Sequence, residues 1–232
     1  MGQLADDLGT EVAKIFSDQW ETRDGQKVPE ASDIALGNHA VKLNGTVLYA
    51  DLADSTDLVR TKKKFFAAEV YKAYLISAAR VIRARGGKIT AYDGDRIMAV
   101  FIGDAKNSEA AKCGLQINWA VKNIVQPALK KQYPKSTYAV AQTVGIDTAD
   151  LWVARTGIRG SNDLVWVGNA ANYAAKMSSL DSKYPTVISK AVYDMLNKKS
   201  NFGGNPERNM WTNLGSSDLG VPLFGSNFWW SI

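Results

Sequence analysis

The chain has few of the residues that build disulfides, zinc sites or histidine-based catalysis. Its 232 residues include one cysteine, Cys113, and one histidine, His39. One cysteine excludes an internal disulfide and a thiolate zinc cluster, and one histidine argues against a catalytic triad or a histidine-rich metal centre. We therefore expect any metal site in this chain to use oxygen ligands.

Long apolar runs are missing as well. No stretch approaches the length that spans a membrane, and the N-terminus lacks the basic-then-apolar profile of a signal peptide. These absences predict a cytoplasmic protein without a membrane partner. Hydrophobic residues make up 46% of the chain, which can supply the core of one domain with an extension.

Positive charge is in modest excess, with a formal net charge of +5 at pH 7. This excess allows an anionic partner such as a nucleotide, a nucleic acid or an acidic surface. The basic clusters at 62–64 and 80–85 are typical of a solvated helix face. No pattern of interleaved aromatic and basic residues indicates single-strand binding, so we expect no nucleic-acid partner.

The segment 46–56 combines a predicted buried strand with a polar turn that opens a helix. Asp51 stands at the end of the strand, and Ser55 and Thr56 stand in the turn. Backbone N–H groups in such a turn attract phosphate, and a carboxylate there can hold a hard cation. The alternative is an ordinary helix cap made by Asp54 or Ser55.

A second acidic segment strengthens the metal-phosphate interpretation. Gly86-Gly87 ends the preceding helix, and Asp93-Gly94 predicts a tight hairpin turn between strands over 87–93 and 95–102. Asp95 then begins the second hairpin strand. If this hairpin lies beside the first strand, Asp51 and Asp95 converge on one end of the sheet, where two carboxylates suit a pair of Mg²⁺ or Mn²⁺ ions.

Four motifs together carry a family resemblance. Residues 49–56 (YADLADST), 93–101 (DGDRIMAVF), 144–148 (VGIDT) and 167–177 (VGNAANYAAKM) resemble those of class III nucleotidyl cyclases, in the family order. The resemblance covers roughly residues 42 to 196. It implies an α+β fold with a ferredoxin-like βαββαβ core, and a head-to-tail homodimer with its active sites at the interface.

The resemblance also implies roles for individual residues. Asp51 and Asp95 match the two metal carboxylates and Leu52 the backbone metal ligand, which implies two divalent cations, Mn²⁺ or Mg²⁺. Asn172 matches the asparagine that orients the ribose, and Lys176 falls where the family has arginine. The substrate contacts that the resemblance implies are Tyr49, Ser55, Thr56, Ala91, Tyr92, Arg96 and Val165.

Lys176 departs from the family because an ammonium group lacks the planar fork of arginine. Three interpretations stay open at this point. Lys176 suffices, another cation such as Arg155 or Arg159 substitutes for it, or activity is weak. A helix at this position with no catalytic part is the structural alternative.

The base-recognition positions depart further. Ala91 stands where adenylate cyclases carry lysine and guanylate cyclases glutamate, and Val165 stands where they carry aspartate or cysteine. Neither side chain can hydrogen-bond a base edge, and Tyr49 and Tyr92 are expected to narrow the pocket for a smaller ring. This combination resembles bacterial antiphage pyrimidine cyclases.

That resemblance predicts a cyclase that acts on UTP, or less favourably on CTP, and forms 3′,5′-cyclic UMP or cyclic CMP. The product would be a second messenger that binds a separate effector in antiviral defence. Two alternatives remain from the sequence. One is an adenylate cyclase with a relaxed pocket, and the other is a degenerate cyclase-fold module that binds nucleotide without turnover.

The chain is expected to divide into three parts. Residues 1–40 form an amphipathic helix and a linker, 41–200 the cyclase domain, and 201–232 an aromatic-rich extension that packs on the domain or its dimer partner. Long helices between hairpins predict a sheet with helices on one face. The predicted core elements are a strand at 42–50, a helix at 57–85, hairpin strands at 87–93 and 95–102, a helix at 107–131 disturbed at Pro127, strands at 138–146, 151–154 and 163–167, a helix at 169–180, a strand at 186–189 and a helix at 190–196.

Overall fold

The computed structural model describes residues 2–180, 183–216 and 219–232. Contacts group these residues into two compact units. The smaller unit consists of the chain up to Asn44 together with Asp150–Gly168, and the larger unit consists of Gly45–Ala149 and Asn169–Ile232. Within the described ranges, no helix is long and apolar enough to cross a membrane.

Strands and helices alternate through most of the chain. The strands are β1 Glu21–Asp24, β2 His39–Leu52, β3 Lys88–Asp93, β4 Arg96–Phe101, β5 Gln142–Ile158, β6 Ser161–Val167, β7 Thr186–Ser189, β8 Phe202–Gly203, β9 Arg208–Asn209, β10 Thr212–Ser216 and β11 Pro222–Ser226. The helices are α1 Gln3–Ser17, α2 Ser55–Thr61, α3 Lys64–Ala84, α4 Lys106–Ala120, α5 Gln126–Gln132, α6 Asn169–Ser178, α7 Lys190–Tyr193 and α8 Lys198–Asn201.

The sheet of the larger unit runs in the order β10-β11-β7-β5-β2-β4-β3. Alternate residues of β2, β4 and β5 point toward α3 and α4, and they form one apolar core with these helices. Tyr74 of α3 and Leu115 of α4 are fully buried there against strand residues such as Leu48 and Ile97. The predicted hairpin does lie beside the first strand, as β3 and β4 next to β2.

The prediction that helices cover one face of the sheet is wrong for α6. Val144 and Ile146 of β5 belong to the core with α3 and α4, whereas Gly145 between them faces α6. A Cβ on Gly145 would lie 2.2 Å from the carbonyl oxygen of Ala174. Only a glycine therefore lets α6 pack so closely on this second face.

The two long helices are both interrupted. The helix predicted at 57–85 is divided at Lys62 and Lys63, whose extended backbone separates α2 from α3. The predicted disturbance near Pro127 is confirmed. Val121–Val125 form a π-helical segment between α4 and α5, and the proline occupies the first turn of α5, where its missing N–H is tolerated.

The smaller unit contains structure that was predicted as a linker. Residues 21–24 form β1, which pairs in parallel with His39–Lys42 of β2, and Ala31–Asp33 form a 3₁₀ turn. β6 pairs with β5 from Trp152 to Ile158. The core of this unit is small and consists of Ile34, Val41, Leu43 and Val153 with Leu164 and Trp166 packed against it.

Helix α1 keeps its apolar stripe exposed. The side-chain amide of Asn38 donates to the carbonyl groups of Ile15 and Asp18, at 2.8 and 2.7 Å, and so holds the C-terminal end of the helix. None of the residues of α1 is buried, so its apolar face is not covered by the described chain.

The aromatic C-terminal extension packs within the larger unit. β11 joins the sheet beside β7, and β10 pairs with β11. The side chain of Trp211 is buried, and its Nε1 donates to the carbonyl of Ser200 at 2.9 Å. Phe228 and Trp230 pack against the same core. The division of the chain at residues 41 and 200 stays a prediction.

Candidate active site

The two predicted metal carboxylates line one cavity in the larger unit. Asp51 lies near the end of β2, and Asp95 lies in the two-residue turn between β3 and β4. That turn is Gly94-Asp95 and not Asp93-Gly94, because Asp93 pairs with Arg96. The cavity has a volume of about 930 Å³. Its lining residues are Asp51, Leu52, Ala53, Asp54, Ser55, Thr56, Asp57, Asp95, Arg96, Ala141, Thr143, Ser178, Ser179 and Leu180.

The charges in this cavity are incompletely compensated. Burial raises the pKa of Asp51 to about 6, and the charge of Asp95 adds to this effect while Arg96 opposes it. Nε of Arg96 lies 3.7 Å from Oδ2 of Asp51, whose side chain is 17% exposed. Oδ2 of Asp95 is buried and has no hydrogen-bond partner among the described residues.

These features fit a cation site. Asp51 and Asp95 repel each other, and one oxygen of Asp95 is buried without a partner in the described chain. A divalent ion would stabilise both carboxylates more than any group of the described chain does. The described residues contain no group of three or more histidine, cysteine, aspartate or glutamate side chains placed to hold a metal, so a cation here would rest on these two carboxylates and on other oxygen ligands. Leu52 lines the same cavity as the two aspartates.

The polar turn after Asp51 is an unusual helix start. Asp54 has a left-handed backbone with φ of +55°, and its side chain makes no capping hydrogen bond, so the interpretation of Asp54 as an ordinary helix cap is wrong. The N–H of Ala53 donates to the carbonyl of Ala141 on the neighbouring segment at 2.9 Å. A non-glycine residue in this conformation carries strain of the kind that collects at ligand-binding turns.

A row of three side chains crosses β2, β4 and β3 beside Asp51. Tyr49 of β2 lies opposite Met98 of β4, and Met98 lies opposite Ala91 of β3. Directly opposed residues share a face of the sheet, and the same face carries Asp51 and Arg96. Burial raises the pKa of Tyr49 above its usual value. The other two side chains of the row, Met98 and Ala91, are apolar.

Tyr92 does not belong to this row. It lies opposite Ile97, whose side chain faces the core with α3 and α4, and it is 58% exposed. Tyr92 is next to Ala91 in the sequence and was therefore expected beside the base with Tyr49, but its pairing with Ile97 places it on the other face of the sheet. Met98 was missed, although counting the antiparallel register from Asp51 and Arg96 would have placed it between Tyr49 and Ala91.

Asn172 and Lys176 project from the exposed face of α6. They are one helical turn apart, and the opposite face of the helix is buried through Ala170, Ala174 and Met177. Neither Asn172 nor Lys176 lines the cavity that contains Asp51 and Asp95, whereas the C-terminal end of the same helix does, through Ser178.

Comparison with known proteins identifies the family. No family model matches the chain. A uridylate cyclase from Xanthomonas perforans is 48% identical over 99% of each chain, and a uridylate cyclase from Burkholderia cepacia is 47% identical, also over 99% of each. Among solved structures, the adenylyl cyclase CyaB from P. aeruginosa is similar with a TM-score of 0.67 and 18% identity, over 81% of this chain and 95% of that one. The chain belongs to the class III nucleotidyl cyclases.

The predicted cyclase fold is therefore confirmed. In the smaller unit of this cyclase, Val165 of β6 lies opposite Ala154 and is 39% exposed. Arg155, considered above as a replacement for the family arginine, is already engaged. Its guanidinium donates to Oδ1 of Asn162 at 2.8 Å and to the carbonyl of Ile34 at 3.3 Å.

Proposed function

We propose that this cyclase converts UTP to 3′,5′-cyclic UMP and pyrophosphate, with CTP as the less favoured substrate. The observation that carries the proposal is the row of Tyr49, Met98 and Ala91 beside the carboxylates. A site that selects a purine by its polar edge needs buried donors or acceptors, and Met98 and Ala91 supply none. The full-length similarity to two proteins named uridylate cyclase supports the same choice.

Asp51, Asp95 and the carbonyl of Leu52 would hold two divalent cations, Mn²⁺ or Mg²⁺. When bound, such a pair of ions acidifies the ribose 3′-hydroxyl and neutralises charge on the triphosphate and the leaving group. The raised pKa of Asp51 and the partnerless oxygen of Asp95 support this assignment. The same groups would be poorly satisfied in a purely structural role.

The other residues would bind and orient the nucleotide. Ser55 and Thr56 line the cavity where the triphosphate would lie, their hydroxyls and amides would bind its phosphates, and Arg96 would provide a positive charge there. The ribose 3′-hydroxyl would lose its proton to solvent water, and its oxygen would form a bond to the α-phosphorus. The bond from that phosphorus to the bridging oxygen breaks, and pyrophosphate leaves.

Asn172 and Lys176 would complete the site from a second copy of the chain. Asn172 would orient the ribose, and Lys176 would stabilise the negative charge that develops on the α-phosphate. Their exposed position on α6, outside the cavity of their own chain, supports a head-to-tail homodimer with two equivalent sites. Because Arg155 is held by Asn162 and Ile34, Lys176 is the better candidate for the role of the family arginine.

The cyclic product would act as a second messenger in the cytoplasm and would bind a separate effector in antiviral defence. This part of the proposal rests on the resemblance to bacterial antiphage cyclases. A catalytically inactive nucleotide-binding module is the second candidate, and the presence of lysine at position 176 favours it. An adenylate cyclase is the alternative among active enzymes.

The decisive experiment is an incubation of the purified protein with Mn²⁺ and each of the four ribonucleoside triphosphates. Cyclic products are identified by liquid chromatography with mass spectrometry, and released pyrophosphate gives the rate. We expect UTP to react fastest, by roughly tenfold or more over ATP and GTP. Equal rates with ATP would favour the adenylate cyclase, and nucleotide binding without any product would favour the inactive module.

A further inference from the structure

Thr143 has a buried hydroxyl that nothing in the described chain satisfies. The residue is 1% exposed, and its Oγ1 has no hydrogen-bond partner among the described residues. Thr143 also lines the cavity that contains Asp51 and Asp95. A buried hydroxyl without a partner costs free energy, so its presence beside a candidate site calls for a ligand or a functional partner.

The strand register brings Thr143 next to Asp51. The N–H of Ala53 donates to the carbonyl of Ala141, and Oγ1 of Thr46 contacts Oγ1 of Thr148 at 3.2 Å. The contacts move backward along β2 as they move forward along β5, so these neighbouring strands are antiparallel. Asp51 lies two residues before Ala53, and Thr143 lies two residues after Ala141, so the antiparallel register places Asp51 opposite Thr143.

Residues that face each other in an antiparallel pair have their Cβ atoms about 4.5–5.5 Å apart and share a face of the sheet. Asp51 is flanked on the other side by β4, where Arg96 lies opposite to it. The carboxylate therefore stands between a guanidinium group on β4 and the hydroxyl of Thr143 on β5. The side chain on the β4 side, Arg96, is charged and partly exposed, and the side chain on the β5 side, Thr143, is a small buried donor.

We propose that Thr143 is a positioning residue for Asp51, and that its hydroxyl donates a hydrogen bond to the Asp51 carboxylate when that carboxylate binds a divalent cation. This inference rests on the proposed metal-dependent function. Metal-binding carboxylates are commonly oriented by hydrogen bonds from neighbouring groups, and loss of such a partner weakens metal affinity by roughly 10–100-fold. Thr143 is the group on β5 that the register places to do this.

A purely structural role predicts a different outcome. Valine has nearly the shape of threonine and lacks the hydroxyl, so Thr143→Val removes an unsatisfied polar group without leaving a cavity. If Thr143 only fills space, the variant should match the wild type in metal binding. If it positions Asp51, the variant should be as stable as the wild type in chelator, or more stable, yet bind metal less tightly.

Thr186 provides a matched control. It is also fully buried, and its Oγ1 also lacks a partner among the described residues. Its side chain lies against Gly114 of α4, on the core side of β7. Thr186→Val therefore removes the same kind of hydroxyl away from the cavity, and it should leave metal affinity unchanged.

The experiment measures Mn²⁺ binding to the full-length protein by electron paramagnetic resonance of the free ion, without nucleotide, and thermal unfolding in chelator. We expect Thr143→Val to weaken Mn²⁺ binding about tenfold with an unchanged or raised melting temperature. Thr143→Ser, which keeps the hydroxyl, should bind Mn²⁺ within about twofold of the wild type. Thr143→Ala serves in place of the valine variant if the latter does not fold.

Three results would overturn the inference. Wild-type Mn²⁺ affinity in Thr143→Val, with a loss confined to UTP binding, would assign the hydroxyl to the nucleotide. Wild-type binding of both Mn²⁺ and UTP, or a loss of Mn²⁺ affinity that comes with a lower melting temperature, would assign it to packing. If Asp51→Asn binds Mn²⁺ as tightly as the wild type, the assignment of Asp51 as a metal ligand is itself wrong. Failure of this inference and failure of the proposed function are therefore distinguishable.

Discussion

The two ends of the candidate site differ in how the chain satisfies them. At the carboxylate end, burial and mutual repulsion raise the pKa of Asp51, and one oxygen of Asp95 is buried without a partner in the described residues. At the end proposed for the base, Met98 and Ala91 have apolar side chains, which need no hydrogen-bond partner. The carboxylate end needs positive charge from a bound ligand, whereas the base end would select a ligand by its size and shape. Affinity and chemistry should therefore depend on the first end, and substrate choice on the second.

Removal of either carboxylate should have the largest effect. Asp51→Ala or Asp95→Ala should lower turnover of UTP by about a thousandfold or more, because each change removes a charged metal ligand worth several kcal/mol in the transition state. Folding should be retained, since neither side chain belongs to the apolar core. Turnover with Mn²⁺ is measured beside circular dichroism, with Asp104→Ala, an exposed carboxylate outside the cavity, as the matched control.

The second prediction concerns the proposed completion of the site by Asn172 and Lys176 from a second copy of the chain. Asp51→Ala and Asn172→Ala should each be inactive alone, and an equal mixture should recover about one quarter of wild-type activity. Half of the dimers are then mixed, and each mixed dimer has one intact site of two. No recovery after verified subunit exchange would mean that one chain contains a complete site.

The base end should control selectivity with a smaller effect on rate. Met98→Ala or Tyr49→Ala should slow UTP more than ATP and narrow their ratio by roughly tenfold, because the variants lose contacts with the smaller ring and open space for the larger one. Tyr92→Ala is the matched control, since Tyr92 faces the other side of the sheet. A change in the ratio as large as that of Tyr49→Ala would show that Tyr92 contacts the base.

Sequence patterns were sufficient for the parts of the fold that depend on local signals. The strand-turn-helix at Asp51 and the hairpin at Asp95 follow from alternation, glycine and acidic turn residues, and the family motifs supplied their order in the sheet. The interruption near Pro127 follows from the missing N–H of proline. These features need few long-range contacts to be predicted.

Other features depend on contacts between distant segments. The face on which Tyr92 lies is set by pairing with Ile97, and the register shift between Ile89 and Ala91 obscures it in the sequence. The placement of α6 on the second face depends on the close approach at Gly145. The isolated hydroxyl of Thr143 has no local signature at all, because its neighbour Asp51 is far away in the chain.

The smallest predicted effect tests the carboxylate end through stability. Burial and Asp95 raise the pKa of Asp51 from 3.8 to about 6, so the folded protein disfavours the charged form. The protein without metal should therefore lose stability as the pH rises from about 4 to about 6, and keep that deficit at higher pH. Asp51→Asn removes the charge, and its melting temperature in chelator should lack this decrease.

At pH 8 the asparagine variant should be more stable in chelator by about 1–2 kcal/mol, once solvent screening is allowed for, or ~2–8 °C in melting temperature. Below about pH 3 the two proteins should converge, because Asp51 is then largely neutral in both folded and unfolded chains. Mn²⁺ should reverse the order at pH 8, since it binds the wild type more tightly than the variant. A wild type that is the more stable protein in chelator at pH 8 would mean that Arg96, 3.7 Å from Asp51, outweighs burial and repulsion, and the contrast between the two ends would then fail.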